Sequence, residues 1–153
     1  MVQGGFWAVS SGKISFRGDG RWYSDDEPIN NPRIAKLFSK CLSQHGDGRW
    51  QIAMADERAF VDIEDTPWVV TAVSGAPDSG WTLHLNDDSD EPLNPRTLTS
   101  GPQHVLYAAV KDGRYRARFL RPAYYQLAAA FQEDGGRVVL PSGGERYVIA
   151  SST

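Results

Sequence analysis

Residues 105–127 read VLYAAVKDGRYRARFLRPAYYQL. Asp112-Gly113 lies between two extended segments, and Asp-Gly in that setting is the strongest short signal for a β-hairpin, because both central residues of a type I′ turn need positive φ. The second arm alternates: Tyr115, Ala117 and Phe119 fall on one face, and Arg114, Arg116 and Arg118 on the other. Pro122 then opens a helix in which Tyr124, Leu127, Ala128 and Phe131 share one face. The stretch therefore predicts strand, tight turn, strand, helix.

The turn phrase recurs along the chain. DGRW stands at 19–22 and again at 47–50, and GGRV at 135–138. The copy at 19 follows KISFRG, with Ile14 and Phe16 on one face, and reads as another hairpin. The copies at 47 and 135 follow helical patterns and lead into WQIAM and RVVLP, so their glycines read as helix C-caps. In all four places the phrase is backbone punctuation. No copy makes the GxxxxGK[ST] phosphate loop or a clean GxGxxG.

The phrases also line up as two similar units. Asp19-Gly20-Arg21 matches Asp112-Gly113-Arg114 at an offset of 93. Pro32 and Leu37 match Pro122 and Leu127 at an offset of 90, and Gly48-Arg49 and Arg58 match Gly136-Arg137 and Arg146 at an offset of 88. Asn31-Pro32 caps IAKLFSKCL, with Ile34, Leu37, Phe38, Cys41 and Leu42 at helical spacing. Common ancestry of the halves and chance recurrence of a common turn-and-cap grammar both account for the matches. DTPWVVTAV and GWTLHLN supply two further strands. The expected fold is α+β: two β-hairpin, helix, β-hairpin units in mostly antiparallel sheet, residues 1–64 and 65–153, packed as one body.

Composition narrows function. The chain has 153 residues and a formal charge of −3, which gives no net field toward nucleic acid or an anionic membrane. The single cysteine, Cys41, excludes an intrachain disulfide. No apolar run approaches the ~18 residues of a membrane span, and MVQGGFWAVSSGK lacks the basic start and apolar stretch of a signal peptide. A cytoplasmic protein is expected.

The usual catalytic constellations are missing. His45, His84 and His104 are scattered and pair with no metal-ligand spacing. Asn86, Asp88 and Asp90 begin like a calcium loop, but Glu91 stands where glycine is required and Thr97 where glutamate is. Cys41 falls on the apolar helix face, as a core residue does. No metal or cofactor is expected. Arginine outnumbers lysine twelve to four, however, and Arg118 and Arg121 flank the start of the second helix. Guanidinium forks and a helix N-terminus both attract phosphate or carboxylate. The alternative is a solvated face paired with the acidic runs at 24–27 and 87–91.

The ordered series GDGRWYSDDEPI, IAKLFSKCLSQHGDGRWQI, DERAFVDIEDTPWVV, LHLNDD and GPQHVLYAAVKDGRYRARFLRPAYYQL resembles the bacterial domain-of-unknown-function family twelve eighty-five, over residues 14–149. The resemblance implies a duplicated core whose second half is pleckstrin-homology-like. It also implies a ligand site between the halves, for an anionic and nucleotide-like molecule, with a signalling role. The family's recurrent positions map onto Trp22, Pro28-Ile29, Glu57, Glu64-Asp65-Pro67, Asn86, Arg118 and Tyr125. PSGGERYVI lacks the glycine-aromatic ending of the family, and Thr66 replaces its usual alanine.

The expected function is a non-enzymatic binding or signalling module that holds an anionic ligand through Arg118, Arg121, Tyr125, Trp22, Asn86, Glu57 and Asp65. The alternatives are a small hydrolase or transferase with Glu57 or Asp65 as base, and an adaptor whose sheet edge recruits a protein partner.

Overall fold

The structure, a computed structural model, describes residues 13–151. The reading of the N-terminus as free of a signal peptide concerns residues 1–12, which lie outside the described residues. The fold is α+β and mostly sheet, in two compact units, Met1–Pro67 and Trp68–Thr153. Among the described residues no helix is long and apolar enough to cross a membrane.

In the N-terminal unit, β1 (Ile14–Phe16), β2 (Trp22–Ser24) and β3 (Glu27–Pro28) form an antiparallel meander, and β7 (Asp62–Ile63) adds in parallel beside β1. Helix α1 (Pro32–Lys40) starts where predicted: Asn31 accepts a hydrogen bond from the Arg33 N–H at 2.9 Å, and Pro32 takes the first turn. It ends sooner than the apolar spacing implies. The Cys41 N–H closes the last turn on Leu37, and Leu42 is already in a strand. Leu37, expected on the apolar face, is 41% exposed. The second sheet is β4 (Leu42–Gln44), β5 (Trp50–Met54) and β6 (Glu57–Phe60). The core is aromatic: Phe16 and Trp22 are register partners with ring centroids 4.8 Å apart, and Phe38 meets Trp22 edge-on at 5.7 Å.

In the C-terminal unit, β8 (Trp68–Ala76), β9 (Gly80–Leu85), β10 (Asp90–Pro92), β11 (Thr99–Ser100), β12 (Leu106–Val110), β13 (Tyr115–Phe119) and β17 (Ala150–Ser151) form one sheet in the order β10-β9-β8-β13-β12-β11-β17. Its pairings are antiparallel except β8 with β13 and β11 with β17. Helix α2 (Arg121–Ala128) packs on β8 through Ala123 and Leu127, both fully buried. Gln126 fixes its position by accepting the Val73 N–H at 2.7 Å, just past an irregularity in the β8–β9 register. A three-stranded sheet of β14 (Gln132–Asp134), β15 (Arg137–Ser142) and β16 (Glu145–Val148) follows, tied to β9 by the Trp81 indole N–H on the Pro141 carbonyl.

All four copies of the turn phrase are hairpin turns, which corrects the helix-cap reading at 47 and 135. After α1 and after α2 the chain first lays down a short strand, β4 or β14, and only then turns. At 19 and 47 the loops are built alike. The Gly20 N–H bonds the Arg17 carbonyl and the Gly48 N–H bonds the His45 carbonyl, while Asp19 and Asp47 each accept the N–H of the following arginine at 3.0 Å. That is a type I turn closed by a left-handed glycine, with φ 80° at Gly20 and 94° at Gly48. The loop at 135 has two residues, both at positive φ as type I′ requires, whereas the loop at 112 spans 111–114 between Val110 and Tyr115, with Lys111, Asp112 and Gly113 all at positive φ and the Arg114 N–H closing on the Lys111 carbonyl.

Candidate functional site

The end of β13 and the start of α2 build the site. Alternation on β13 buries Ala117 and Phe119 and leaves Arg118 half-exposed, opposite Tyr107 on β12. Leu120 bonds back to the Val70 carbonyl at 3.0 Å and serves as N-cap without a capping side chain. The first turn of α2 holds no acidic residue, and Pro122 has no N–H. Arg121 therefore sits at the positive end of the helix, where the macrodipole opposes a cation by roughly 0.3–1 kcal/mol. A bound anion would offset both charges. On the solvent side of α2, Tyr125 is 60% exposed and meets Tyr124 edge-on at 5.5 Å.

These side chains line one cavity of about 390 Å³, closed on its other flank by Gln103, His104 and Leu106. Gln103 and His104 are consecutive non-glycine residues at φ 61° and 63°. Left-handed backbone at such residues costs of order 1–3 kcal/mol each, and it persists where the surroundings hold it. No carboxylate, serine, threonine or cysteine is among the lining residues. The site can grip an anion through charge-assisted hydrogen bonds, and its lining also brings the imidazole of His104 and the phenol hydroxyls of Tyr124 and Tyr125.

Of the residues expected to bind ligand, Arg118, Arg121 and Tyr125 line this cavity, and Trp22, Asn86, Glu57 and Asp65 do not. Trp22 is fully buried in the N-terminal core, and its indole N–H donates to Ser39 at 2.9 Å. Its ring offers no wall to a ligand. Asn86 braces the sheet: its side-chain oxygen accepts the Val69 N–H at 3.0 Å while its own N–H donates to the Val69 carbonyl. Glu57 is the first residue of β6, in register with Met54. Asp65 is exposed and lines a separate cavity of about 470 Å³ in the N-terminal unit, with Lys13, Arg49 and Asp62. Glu64 holds the first hairpin by accepting the Gly18 N–H at 2.7 Å.

Sequence reasoning missed Gln103, His104 and Tyr124 as lining residues. His104 has no partner spacing, and Tyr124 reads as core from its helical position. The one available signal was their placement, GPQH directly before the hairpin that carries Arg118.

His84 lies between Asp90, at 2.5 Å, and Asp88, at 3.4 Å. Asp47 is held at about 2 by hydrogen bonds from Arg49 and His45. Burial pushes the Cys41 thiol up. Among the described residues no cluster of His, Cys, Asp or Glu could hold a metal ion.

The molecule is thus a mixed α+β protein, mostly sheet, with a cationic cavity at a strand-to-helix junction. Its backbone is similar to two crystal structures of DUF1285 family proteins. The one from Silicibacter pomeroyi DSS-3 superposes with a TM-score of 0.66 at 20% identity, over 91% of this chain and 80% of that one. The one from Shewanella baltica OS155 superposes with a TM-score of 0.59 at 17% identity, over 80% of this chain and 95% of that one. The chain has the DUF1285 fold. No family model and no curated protein matches the sequence.

Proposed function

We propose that the protein is a ligand-binding module whose C-terminal unit holds a small anionic molecule at the junction of β13 and α2. The observation that carries this reading is the convergence of Arg118, Arg121 and the exposed Tyr125 on one cavity without a carboxylate, in a chain whose formal net charge is −3. Arg118 and Arg121 bind the anion, and Tyr124 and Tyr125 form the aromatic wall. A signalling role through a nucleotide-like ligand belongs to the same proposal.

So does descent of the two units from one ancestor. Its support is a shared order: hairpin, helix, three-stranded meander, with helices at Pro32–Lys40 and Arg121–Ala128. The pleckstrin-homology-like description of the second unit rests on its seven-stranded, mostly antiparallel sheet with one helix against it.

The test is a thermal-shift screen against inorganic phosphate, nucleoside phosphates and dicarboxylates. A ligand at one hundred times its dissociation constant stabilises the native state by about 2.7 kcal/mol. Arg121→Ala should abolish the shift. A shift of equal size in that variant would refute the site.

A further inference from the structure

Asp-Gly occurs four times in the chain, at 19–20, 47–48, 112–113 and 134–135. The pair has a chemistry of its own. Glycine has no side chain to shield its amide, so the nitrogen can reach the carboxyl carbon of the preceding aspartate. The fold controls that step in two ways, through the freedom of the carboxyl to rotate and the freedom of the glycine N–H.

Three of the four carboxyls are held. Asp19 accepts the Arg21 N–H at 3.0 Å and the Tyr23 hydroxyl. Asp47 accepts the Arg49 N–H at 3.0 Å and the Arg49 Nε–H at 2.8 Å. Asp134 lies 3.3 Å from the Arg146 guanidinium. At the first two the glycine amide is engaged as well, with the Gly20 N–H on the Arg17 carbonyl at 2.9 Å and the Gly48 N–H on the His45 carbonyl at 2.8 Å. Asp112 differs. It is exposed, and among the described residues its carboxyl has no hydrogen-bond or ion-pair partner. The turn is closed by the Arg114 N–H on the Lys111 carbonyl, which leaves the Gly113 N–H unbonded among the described residues. Lys111 and Asp112 are consecutive non-glycine residues at φ 56° and 61°. Rotating this turn to bring amide and carboxyl together therefore gives up a conformation that such residues seldom adopt.

We propose that Asp112 is a site of spontaneous isoaspartate formation. The Gly113 nitrogen attacks the Asp112 Cγ of the protonated carboxyl. A C–N bond forms, the Cγ–OH bond breaks, and the hydroxyl leaves as water with the amide proton. Water then adds to the α-carbonyl carbon of the succinimide, and the bond from that carbon to the Gly113 nitrogen breaks. The chain now runs through Cγ and carries a free α-carboxylate. Nothing is oxidised or reduced, and the water lost in the first step is regained in the second. A cavity of about 400 Å³, lined by Asp112 and Gly113, gives that water access. The product adds one backbone atom to the turn between β12 and β13, the strand that bears Arg118.

The experiment ages the folded full chain, and a sample unfolded in guanidinium, at neutral pH and physiological temperature. Isoaspartate is then quantified in the chymotryptic peptides 17–22, 43–50, 108–115 and 132–147, each of which holds one Asp-Gly pair. In the unfolded chain the four pairs should react at comparable rates. In the folded chain Asp112 should stay close to its unfolded rate. Asp19 and Asp47 should fall about tenfold or more, because their charged hydrogen bonds must be released first. Asp134, held by one exposed ion pair, should fall between them, and Arg146→Ala should raise its rate while leaving that of Asp112 unchanged. A folded-state rate at Asp112 no higher than at Asp19 and Asp47, or product concentrated at Asp134, would overturn the proposal. So would an Asp134 rate unmoved in Arg146→Ala, since a held carboxyl would then give no protection.

Discussion

Replacing Lys111 by Met tests the electrostatics that hold the second unit's sheet. Lys111 follows β12, and its ammonium donates to Asp87 at 2.6 Å and lies 4.8 Å from the Trp68 ring centre. Its backbone N–H also donates to Glu91. The side chains of Lys111 and Asp87 are 24% and 11% exposed, so water screens the pair less than a surface ion pair worth about 0–1 kcal/mol. A charged hydrogen bond to a partly buried group contributes about 1.5–3 kcal/mol. Methionine keeps the length and apolar packing and removes only the charge. The expected loss at pH 7 is about 1–2 kcal/mol, or roughly 2–8 °C in Tm at about 2–4 °C per kcal/mol for a chain of this size.

The pH dependence fixes the cause. Burial pushes the Asp87 carboxyl up, but hydrogen bonds from Lys111 and Ser89 outweigh it and hold the group below its ordinary value. A depressed carboxylate contributes stability that is fully present above the unfolded pKa, about 3.9, and is lost as pH falls through the folded value. Urea melts of wild type and Lys111→Met should therefore differ by the full amount at pH 7 and converge as pH falls below about 4. Equal stability at pH 7, or a gap that persists undiminished in acid, would refute the reasoning.

Two further outcomes follow from local geometry. Gly113→Val places a β-branched side chain at φ 75° in the 111–114 turn and should cost about 1 kcal/mol or more, measured by urea denaturation. Ser39→Ala leaves the buried Trp22 indole N–H without its acceptor and should cost about 1–3 kcal/mol, with a changed tryptophan emission as the local readout.

Much of this fold is legible in the chain because turn chemistry is local. Asp112-Gly113 demands two positive φ values, and Asn31-Pro32 demands a helix start. The copies at 47 and 135 were harder. The helical spacing of Ile34 to Leu42 runs on past Lys40, and only the burial of Leu42 as a strand residue opposite Ile52 ends it there. Local propensity does not carry that tertiary fact. The arginines near α2 are visible because strand alternation and a helix start are both local patterns. The far wall, Gln103 and His104, depends on a backbone path through left-handed conformations that nothing in GPQH announces. Trp22 and Asn86 show the reverse case: one is taken up by the core and the other by a backbone clasp, and a recurrent position cannot separate such roles from binding.

The most direct test of the central claim is a titration of the isotope-labelled protein with inorganic phosphate, followed by amide and arginine side-chain NMR. Anion binding at the junction of β13 and α2 predicts the largest saturable shifts at residues 103–106 and 118–125, with the Arg121 side chain among them. Saturable shifts centred instead on Lys13, Arg49 and Asp65, or no saturable shift at all, would contradict it.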